Sequence, residues 1–96
     1  MIKEKIIKIK NYEELIKLFE YADKMGNKWS SGRSLLDLDM SRTAYKAYEN
    51  QNLCILFDKE GRVQYSPYDF YKEFSKTYDY EYFNVSDIVK DIEFNF

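Results

Sequence analysis

The residue types best suited to ligand binding lie in a polar loop that follows the first predicted helix. Trp29 is the only tryptophan and offers an aromatic face for stacking. Ser30 and Ser31 add hydroxyls, and Gly32 gives the backbone freedom to donate hydrogen bonds. Arg33 supplies a guanidinium, which suits phosphate or carboxylate. We predict a ligand-binding loop; the alternative is that Trp29 fills the core beside a simple Ser-Ser-Gly turn. The Gly-x-x-x-x-Gly-Lys spacing of a phosphate-binding P-loop is missing.

A second group of residues interleaves cations with aromatic rings. On a helix Tyr45 and Tyr48 share a face, and Arg42 lies one turn before Lys46. Such a rim can hold a phosphate against the cations and a base against the rings. Tyr65, on a predicted strand, is a further stacking candidate. The alternative interpretation is a solvated helix whose two tyrosines pack inward.

Signatures of catalysis and of metal binding are weak in this sequence. The chain contains no histidine, which excludes His-based triads and Cys-His zinc sites. Asp37 and Asp39 resemble part of a carboxylate metal site, but a metal needs further oxygen ligands, and a solvated loop is the simpler interpretation. Cys54 lies in an apolar run and is predicted to be buried and unreactive. We therefore expect no catalytic residue, no metal and no cofactor.

The charge balance bears on the partners that the protein can bind. The chain has 15 basic and 17 acidic residues, so it lacks the basic field that drives nucleic-acid binding, and we expect no sequence-specific nucleic-acid partner. No apolar run approaches the roughly 20 residues of a membrane helix. With a single cysteine, the sequence predicts a soluble cytoplasmic protein with no membrane partner.

The first half of the chain alternates strand and helix signals. Residues 4–9 place Ile7 and Ile9 on one face of a predicted half-buried strand. Asn11 caps a predicted helix over residues 12–25, and Gly26 ends it. Trp29 lies in or beside a short strand. Residues 27–52 form a long excursion, and within it residues 41–49 are predicted to form an irregular helix.

The second half predicts a hairpin and two further helices. Residues 53–57 form a central strand, and residues 62–65 its partner. Ser66 and Pro67 are typical of a helix start, with Phe70, Tyr71, Phe74 and Tyr78 on one side of the helix. A strand over residues 80–85 precedes a short helix that Ser86 caps and that extends to Ile92. We expect one α+β domain over residues 1–96, with a mainly antiparallel sheet and two to three helices on one face.

Three stretches resemble small accessory proteins found in phages and prophages of low-GC bacteria. They are the segment from Met25 to Arg33, the apolar strand Leu53 to Phe57, and the segment from Tyr65 to Glu73. The richness in Lys, Ile, Asn, Tyr and Phe suits an AT-rich genome. The resemblance implies a counter-defence role, either as a sponge for nucleotide-derived signals or as an inhibitor of a nuclease. It assigns a role to no individual residue.

Three functional hypotheses follow from the residues and the resemblance. The first is a non-enzymatic homo-oligomer that sequesters a cyclic nucleotide or a cyclic ADP-ribose-like signal, with ligand contacts from the Trp29 loop, Arg42 and the tyrosines. The second is an acidic protein–protein inhibitor of a nucleic-acid-binding host defence protein. Its binding segment contains Asp79, Glu81, Asp87, Asp91 and Glu93. The third is a carboxylate-dependent hydrolase.

Overall fold

One mixed β-sheet with helices on both faces organises the chain. The computed structural model describes the backbone of residues 1–73 and 80–93 and, within these ranges, the side chains up to Val89. The strands are β1 (Lys5–Lys8), β2 (Lys28–Trp29), β3 (Leu53–Phe57), β4 (Arg62–Pro67) and β5 (Glu81–Asn84). The helices are α1 (Tyr12–Lys24), α2 (Leu38–Tyr48), α3 (Tyr68–Glu73) and α4 (Val85–Glu93). The predicted α+β class is confirmed.

The strands lie in the order β2-β4-β3-β1-β5. Strand β3 pairs antiparallel with both β1 and β4, whereas β5 runs parallel to β1 and β2 runs parallel to β4. The sheet is therefore mixed, while the sequence predicted a mainly antiparallel one. Each parallel pair joins strands that are separated by long connections containing helices, which is the connection that parallel pairing requires.

The central strand β3 is buried on both faces, as its continuous apolar run predicts. Leu53, Ile55 and Phe57 belong to the larger core cluster. Cys54 and Leu56 point the other way and belong to a smaller cluster. Alternate residues of an extended chain face opposite sides of a sheet, so an uninterrupted apolar run fits only a strand that is covered twice.

Three helices cover one face of the sheet, as many as the sequence predicted there, and a fourth helix covers the opposite face, which the sequence analysis did not predict. Buried side chains of α1, α2 and α4 pack in the larger cluster with Ile7 and Ile9 of the first strand segment. Helix α3 covers the opposite face, where Tyr71 packs with Ile6, Cys54 and Leu56. Strand β1 is thus buried on two sides, although its sequence alternation predicts burial on one.

Helix α1 forms where the sequence predicts it. The side-chain oxygen of Asn11 accepts a hydrogen bond from the backbone N–H of Glu14 at 2.9 Å, and the Glu14 carboxylate accepts one from the N–H of Lys10 at 3.1 Å. This reciprocal capping satisfies donors at the helix start. Gly26 has φ +93°, the left-handed conformation that favours glycine after a helix.

Helix α2 begins three residues before the predicted start at Ser41. Asp37 is its N-cap, and the Asp37 carboxylate accepts hydrogen bonds from the N–H groups of Asp39 and Met40 at 3.1 and 3.3 Å. Asp37 and Asp39 therefore belong to a helix start and not to a solvated loop. An aspartate at this position satisfies helix donors and meets the positive end of the helix dipole.

The predicted N-cap at Ser66 is wrong. Strand β4 continues through Pro67, and Ser66 pairs with Cys54 of β3. The Ser66 hydroxyl donates a hydrogen bond to the carbonyl of Tyr65 at 2.6 Å. Pairing of β4 with the central strand β3 thus overrides the local helix-capping pattern of Ser66 and Pro67, and α3 begins only at Tyr68.

The last predicted elements occur close to their predicted positions. Strand β5 lies within the predicted residues 80–85. Helix α4 begins at Val85, so Ser86 lies inside the helix and is not its cap as predicted. Its Val89 is buried in the core and Ile88 is half-buried against it, as predicted. The side chain of Ile92, and all of Phe74 and Tyr78, lie outside the described residues. In the described ranges, none of the helices has both the length and the apolar character needed to cross a membrane.

A buried amide links three segments of the fold. Asn27, 1% exposed, lies just after α1. Its side-chain oxygen accepts a hydrogen bond from the N–H of Ile2 at 3.0 Å, and its side-chain nitrogen donates to the carbonyls of Ile2 at 2.9 Å and Gly61 at 2.6 Å. The amide thereby joins the chain before β1, the end of α1 and the turn between β3 and β4.

Removing this amide is expected to destabilise the fold strongly. Asn27→Ala leaves buried backbone groups of Ile2 and Gly61 without partners, which should lower the free energy of unfolding by about 2–4 kcal/mol. Urea denaturation followed by circular dichroism measures the change. Asn50→Ala, at an exposed turn position, is the matched control and should change stability by less than about 0.5 kcal/mol. Equal stability of the two variants would contradict the role of the Asn27 amide in joining these segments.

Candidate functional site

Trp29 lies in the core and not on the surface. Trp29 is 2% exposed, and its ring makes T-shaped contacts with Phe19 and Tyr65 at centroid distances of 5.1 and 5.9 Å. Neither face of the indole is open to a ligand in this arrangement. The structure therefore favours the alternative in which Trp29 closes the core beside α1.

The residues after Trp29 form a tight turn that uses its own backbone donors. The N–H of Gly32 donates to the carbonyl of Trp29 at 2.8 Å, and the N–H of Trp29 donates to the carbonyl of Arg33 at 3.0 Å. The N–H of Ser30 donates to Val63 of β4 at 2.9 Å. The predicted Ser-Ser-Gly turn is thus present, and these three backbone groups are already occupied.

The polar side chains of this turn are not among the residues that line the small pocket beside it. Ser30, Ser31 and Arg33 are exposed, and the Arg33 guanidinium lies 3.5 Å from the carboxylate of Asp37. Beside the turn is a pocket of about 200 Å³ whose lining includes Gly32 and Arg62. This volume is below the range of roughly 300–1,000 Å³ typical of ligand pockets. The turn alone is therefore a poor nucleotide site.

Helix α2 carries a stripe of polar residues that lines a larger groove. Arg42, Tyr45, Lys46 and Glu49 follow the i, i+3, i+4, i+7 spacing of one helix face. Together with Tyr12, at the start of α1, they line a groove of about 350 Å³, which we call the α1–α2 groove. The Tyr12 and Tyr45 rings pack with a centroid distance of 5.4 Å. Two cations and two rings thus surround one cleft.

The predicted residues separate into three places. Arg42 and Tyr45 line the α1–α2 groove. Tyr48 instead packs on Tyr65 at a centroid distance of 5.9 Å, and Tyr65 in turn contacts Trp29. Tyr45 and Tyr48 are both partly buried against the larger core cluster, in agreement with the alternative in which they pack inward, and Tyr45 also lines the groove. The polar turn lies at a separate pocket. Among the described residues, the pocket beside the turn and the α1–α2 groove have separate linings, although the sequence analysis assigned the Trp29 loop, Arg42 and the tyrosines to one ligand.

A second groove lies where β1 and β5 end together. We call it the strand-end groove; it has a volume of about 540 Å³. Its polar and aromatic lining residues are Lys8, Lys10, Glu49, Asn52, Tyr68 and Asn84. Parallel strands bring their carboxyl ends to one edge of a sheet, and such edges commonly hold ligand sites in α/β sheets.

Sequence reasoning missed the strand-end groove. The alternation that places Ile7 and Ile9 on the buried face leaves Lys8 and Lys10 on the other face of the strand and groups them with no ligand. Lys8 lies beside Asn84 only because β5 pairs in parallel with β1. No local sequence signal predicts that pairing, so the convergence of these residues depends on the topology of the sheet.

Tyrosine rings surround Lys8 at this groove. The Lys8 ammonium lies 5.1 Å from the ring centroid of Tyr68 and 5.8 Å from that of Tyr82. The two rings are themselves in contact, with a centroid distance of 5.3 Å. Burial raises the pKa of Tyr82, and neighbouring Tyr68 and Cys54 raise it further. Tyr82 therefore stays neutral, and the cation of Lys8 is held in place by aromatic faces.

The structure also locates the remaining candidates for chemistry. Asp37 is engaged as a helix cap, and no group of three potential metal ligands occurs among the described residues. Within the proposed acidic binding segment, Glu81 is exposed and the Asp87 carboxylate accepts a hydrogen bond from the N–H of Asn84 at 2.9 Å. Asp79 and the side chains of Asp91 and Glu93 lie outside the described residues.

Comparisons with protein-family models, with curated proteins and with solved structures found no match. The class of the molecule rests on its own geometry: an α+β protein with two cation- and tyrosine-lined grooves at adjoining positions.

The burial of Trp29 predicts both its stability effect and its spectroscopy. Trp29→Ala should lower the free energy of unfolding by about 3–5 kcal/mol, because it removes a large core ring between Phe19 and Tyr65. In the wild type, acrylamide should quench tryptophan fluorescence several-fold less in the native state than in urea. Equal quenching in both states would show that the indole is exposed.

Cys54 should be inert in the native protein. It is fully buried, and burial raises its pKa to about 11 although the charge of Lys8 lowers it. Relative to the ordinary value of 9.0, the thiolate fraction at pH 8 falls about a hundredfold. Iodoacetamide labelling followed by mass spectrometry should modify the thiol only after denaturation. Rapid modification of the native protein, with Trp29 still shielded from quenching, would contradict this burial.

Proposed function

We propose that this protein is a non-enzymatic binding protein that sequesters a nucleotide-derived small molecule in the α1–α2 groove. The observation that carries the proposal is the convergence of Arg42, Lys46, Tyr45 and Tyr12 on one cleft of about 350 Å³. Cations meet the phosphate, and tyrosine rings meet the base. The Trp29 turn plays a structural part in this proposal, and its side chains are not needed for binding.

The arrangement of charge on α2 supports an anionic ligand. Arg42 and Lys46 are both exposed and lie one helical turn apart. Like charges at this spacing destabilise a helix by about 0.2–0.5 kcal/mol, so they contribute nothing to helix stability. A bound phosphate relieves this repulsion and accepts hydrogen bonds from both side chains.

The interactions that the groove offers are strong enough for micromolar binding of a nucleotide. Stacking on an aromatic side chain contributes about 1–3 kcal/mol per base. A hydrogen bond to a charged group contributes about 1.5–3 kcal/mol. Micromolar affinity requires about 8 kcal/mol. One stacked base and two charge-assisted hydrogen bonds reach this value in the upper part of those ranges.

The resemblance to phage accessory proteins extends the proposal to the identity of the ligand and to the place where the protein acts. In it, the ligand is a cyclic nucleotide or cyclic ADP-ribose-like signal of host immunity, and the protein acts as a sponge in the host cytoplasm. The α1–α2 groove is lined by only two helices and the residue that caps one of them. A homo-oligomer in which a second copy covers the groove completes the enclosure, and native mass spectrometry measures the oligomeric state.

Titration with a defined panel tests this function. The probes are cyclic dinucleotides, cyclic ADP-ribose isomers and AMP, measured by calorimetry and by thermal shift at fixed ionic strength. Arg42→Gln combined with Lys46→Gln should raise the Kd of a bound probe at least about tenfold, because each cation contributes a charge-assisted hydrogen bond. Mass analysis should recover the probe intact.

A charge-matched variant controls for net charge. Lys3→Gln combined with Lys59→Gln removes two exposed cations. Lys3 precedes β1 and Lys59 follows β3, so both lie at the end of this antiparallel pair that is away from the strand-end groove. The double variant should leave the Kd within about twofold. If no probe binds, the proposed function fails. If the probe is recovered chemically converted, the protein is an enzyme and the sponge proposal fails.

A further inference from the structure

The two grooves adjoin at one residue. Glu49 lines both the α1–α2 groove and the strand-end groove. Lys8 and Lys10 line the strand-end groove, and Arg42 and Lys46 line the α1–α2 groove. Among the described residues, the two linings therefore contain two cation pairs and one shared carboxylate, in a chain whose net charge is −2.

Glu49 occupies a position that is unfavourable for a carboxylate. It is the C-cap of α2, where the helix dipole is negative. Its charge also disfavours a phosphate at the junction. Because Arg42 precedes Glu49 by seven residues, about 10 Å of helix separates them. The arrangement suits a ligand whose two phosphates are spaced apart, with sugar hydroxyls or base amino groups available to donate hydrogen bonds to the carboxylate between them.

We propose that the two grooves form one extended site for a small phosphodiester-linked dinucleotide. This inference rests on the proposed function and narrows its ligand class. One phosphate lies against Arg42 and Lys46, and the second lies against Lys8 and Lys10. Tyr45 and Tyr68 provide aromatic faces at the two ends, and Tyr68 is already held in contact with Lys8.

A dinucleotide fits better than a long nucleic-acid strand. The volumes of about 350 and 540 Å³ each fall within the range of roughly 300–1,000 Å³ typical of small-ligand pockets. A strand binder gains most of its affinity from many phosphate contacts in a basic field. Here four of the chain's 15 cations line the two grooves as two pairs, one pair for each phosphate of a dinucleotide, so affinity is expected to saturate at two nucleotides.

The test compares AMP, ADP and linear 5′-phosphorylated adenylates of two, four and twelve residues, by NMR-detected titration at one ionic strength. The dinucleotide should bind at least about tenfold more tightly than AMP, and the longer strands should show no further gain. ADP, whose phosphates are adjacent, should gain less than the dinucleotide. Lys8→Gln combined with Lys10→Gln should remove the dinucleotide gain and leave AMP binding within about twofold.

The outcomes separate this inference from the function on which it rests. Equal affinity for AMP and the dinucleotide, with both lost in the Arg42→Gln, Lys46→Gln variant, overturns the extended site and retains the α1–α2 groove. Affinity that continues to rise up to twelve residues identifies a nucleic-acid strand as the ligand and also overturns the dinucleotide proposal. Absence of binding by every probe overturns both. The Lys3→Gln, Lys59→Gln variant should bind all probes as the wild type does.

Discussion

The buried amide of Asn27 is the interaction on which the rest of the structure depends. It supplies two donors and one acceptor to backbone groups of Ile2 and Gly61, at a place where water has no access. Aspartate lacks the donors and glutamine is one methylene longer, so neither reproduces this set of hydrogen bonds. By joining the chain ahead of β1 to the turn after β3, the amide supports the antiparallel register of the two strands that form the middle of the sheet. Since β5 then pairs with β1, the position of the strand-end groove follows from this register.

Both grooves lie where regular elements end. Helices and strands hold most of the groups that line them, whereas Lys10 and Asn52 lie in connecting segments. Helix α2 carries a buried row that includes Ser41 and Ala44 on one side and the cationic stripe on an adjacent side. One helix thus contributes to the core and to the site without a special loop. The polar turn after β2 has the opposite character: its residue types suit ligands, but its backbone donors are used to close the turn and to join β2 to β4. Helical spacing placed Tyr45 beside Tyr48 and Arg42 beside Lys46; of these four residues, all but Tyr48 line the α1–α2 groove.

Local periodicity and caps predicted most of the elements. Helix α1, the hairpin of β3 and β4, and the last strand and helix occur within a few residues of their predicted places, because each is encoded by its own apolar pattern or turn. The errors arose where longer-range pairing decided the outcome. Ser66 carries a capping pattern but stays in the ladder to β3, and the parallel β1–β5 pair has no local signature. For the same reason the sequence supplied Arg42 and Tyr45 of the candidate site but not Lys8 or Lys10, whose neighbours come from distant parts of the chain.

The row of rings from Phe19 through Trp29 and Tyr65 to Tyr48 has a consequence for how α2 can move. Successive centroids lie 5.1, 5.9 and 5.9 Å apart, so each ring restrains the next. Any rotation of α2 about its axis must pull Tyr48 away from Tyr65 and open the core. The ring contacts therefore hold the rotation of α2 about its axis, and with it the direction in which the backbone presents Arg42 and Lys46. In the proposed function, binding then orders the two exposed side chains but does not reorient the helix, which lowers the entropic cost of capture.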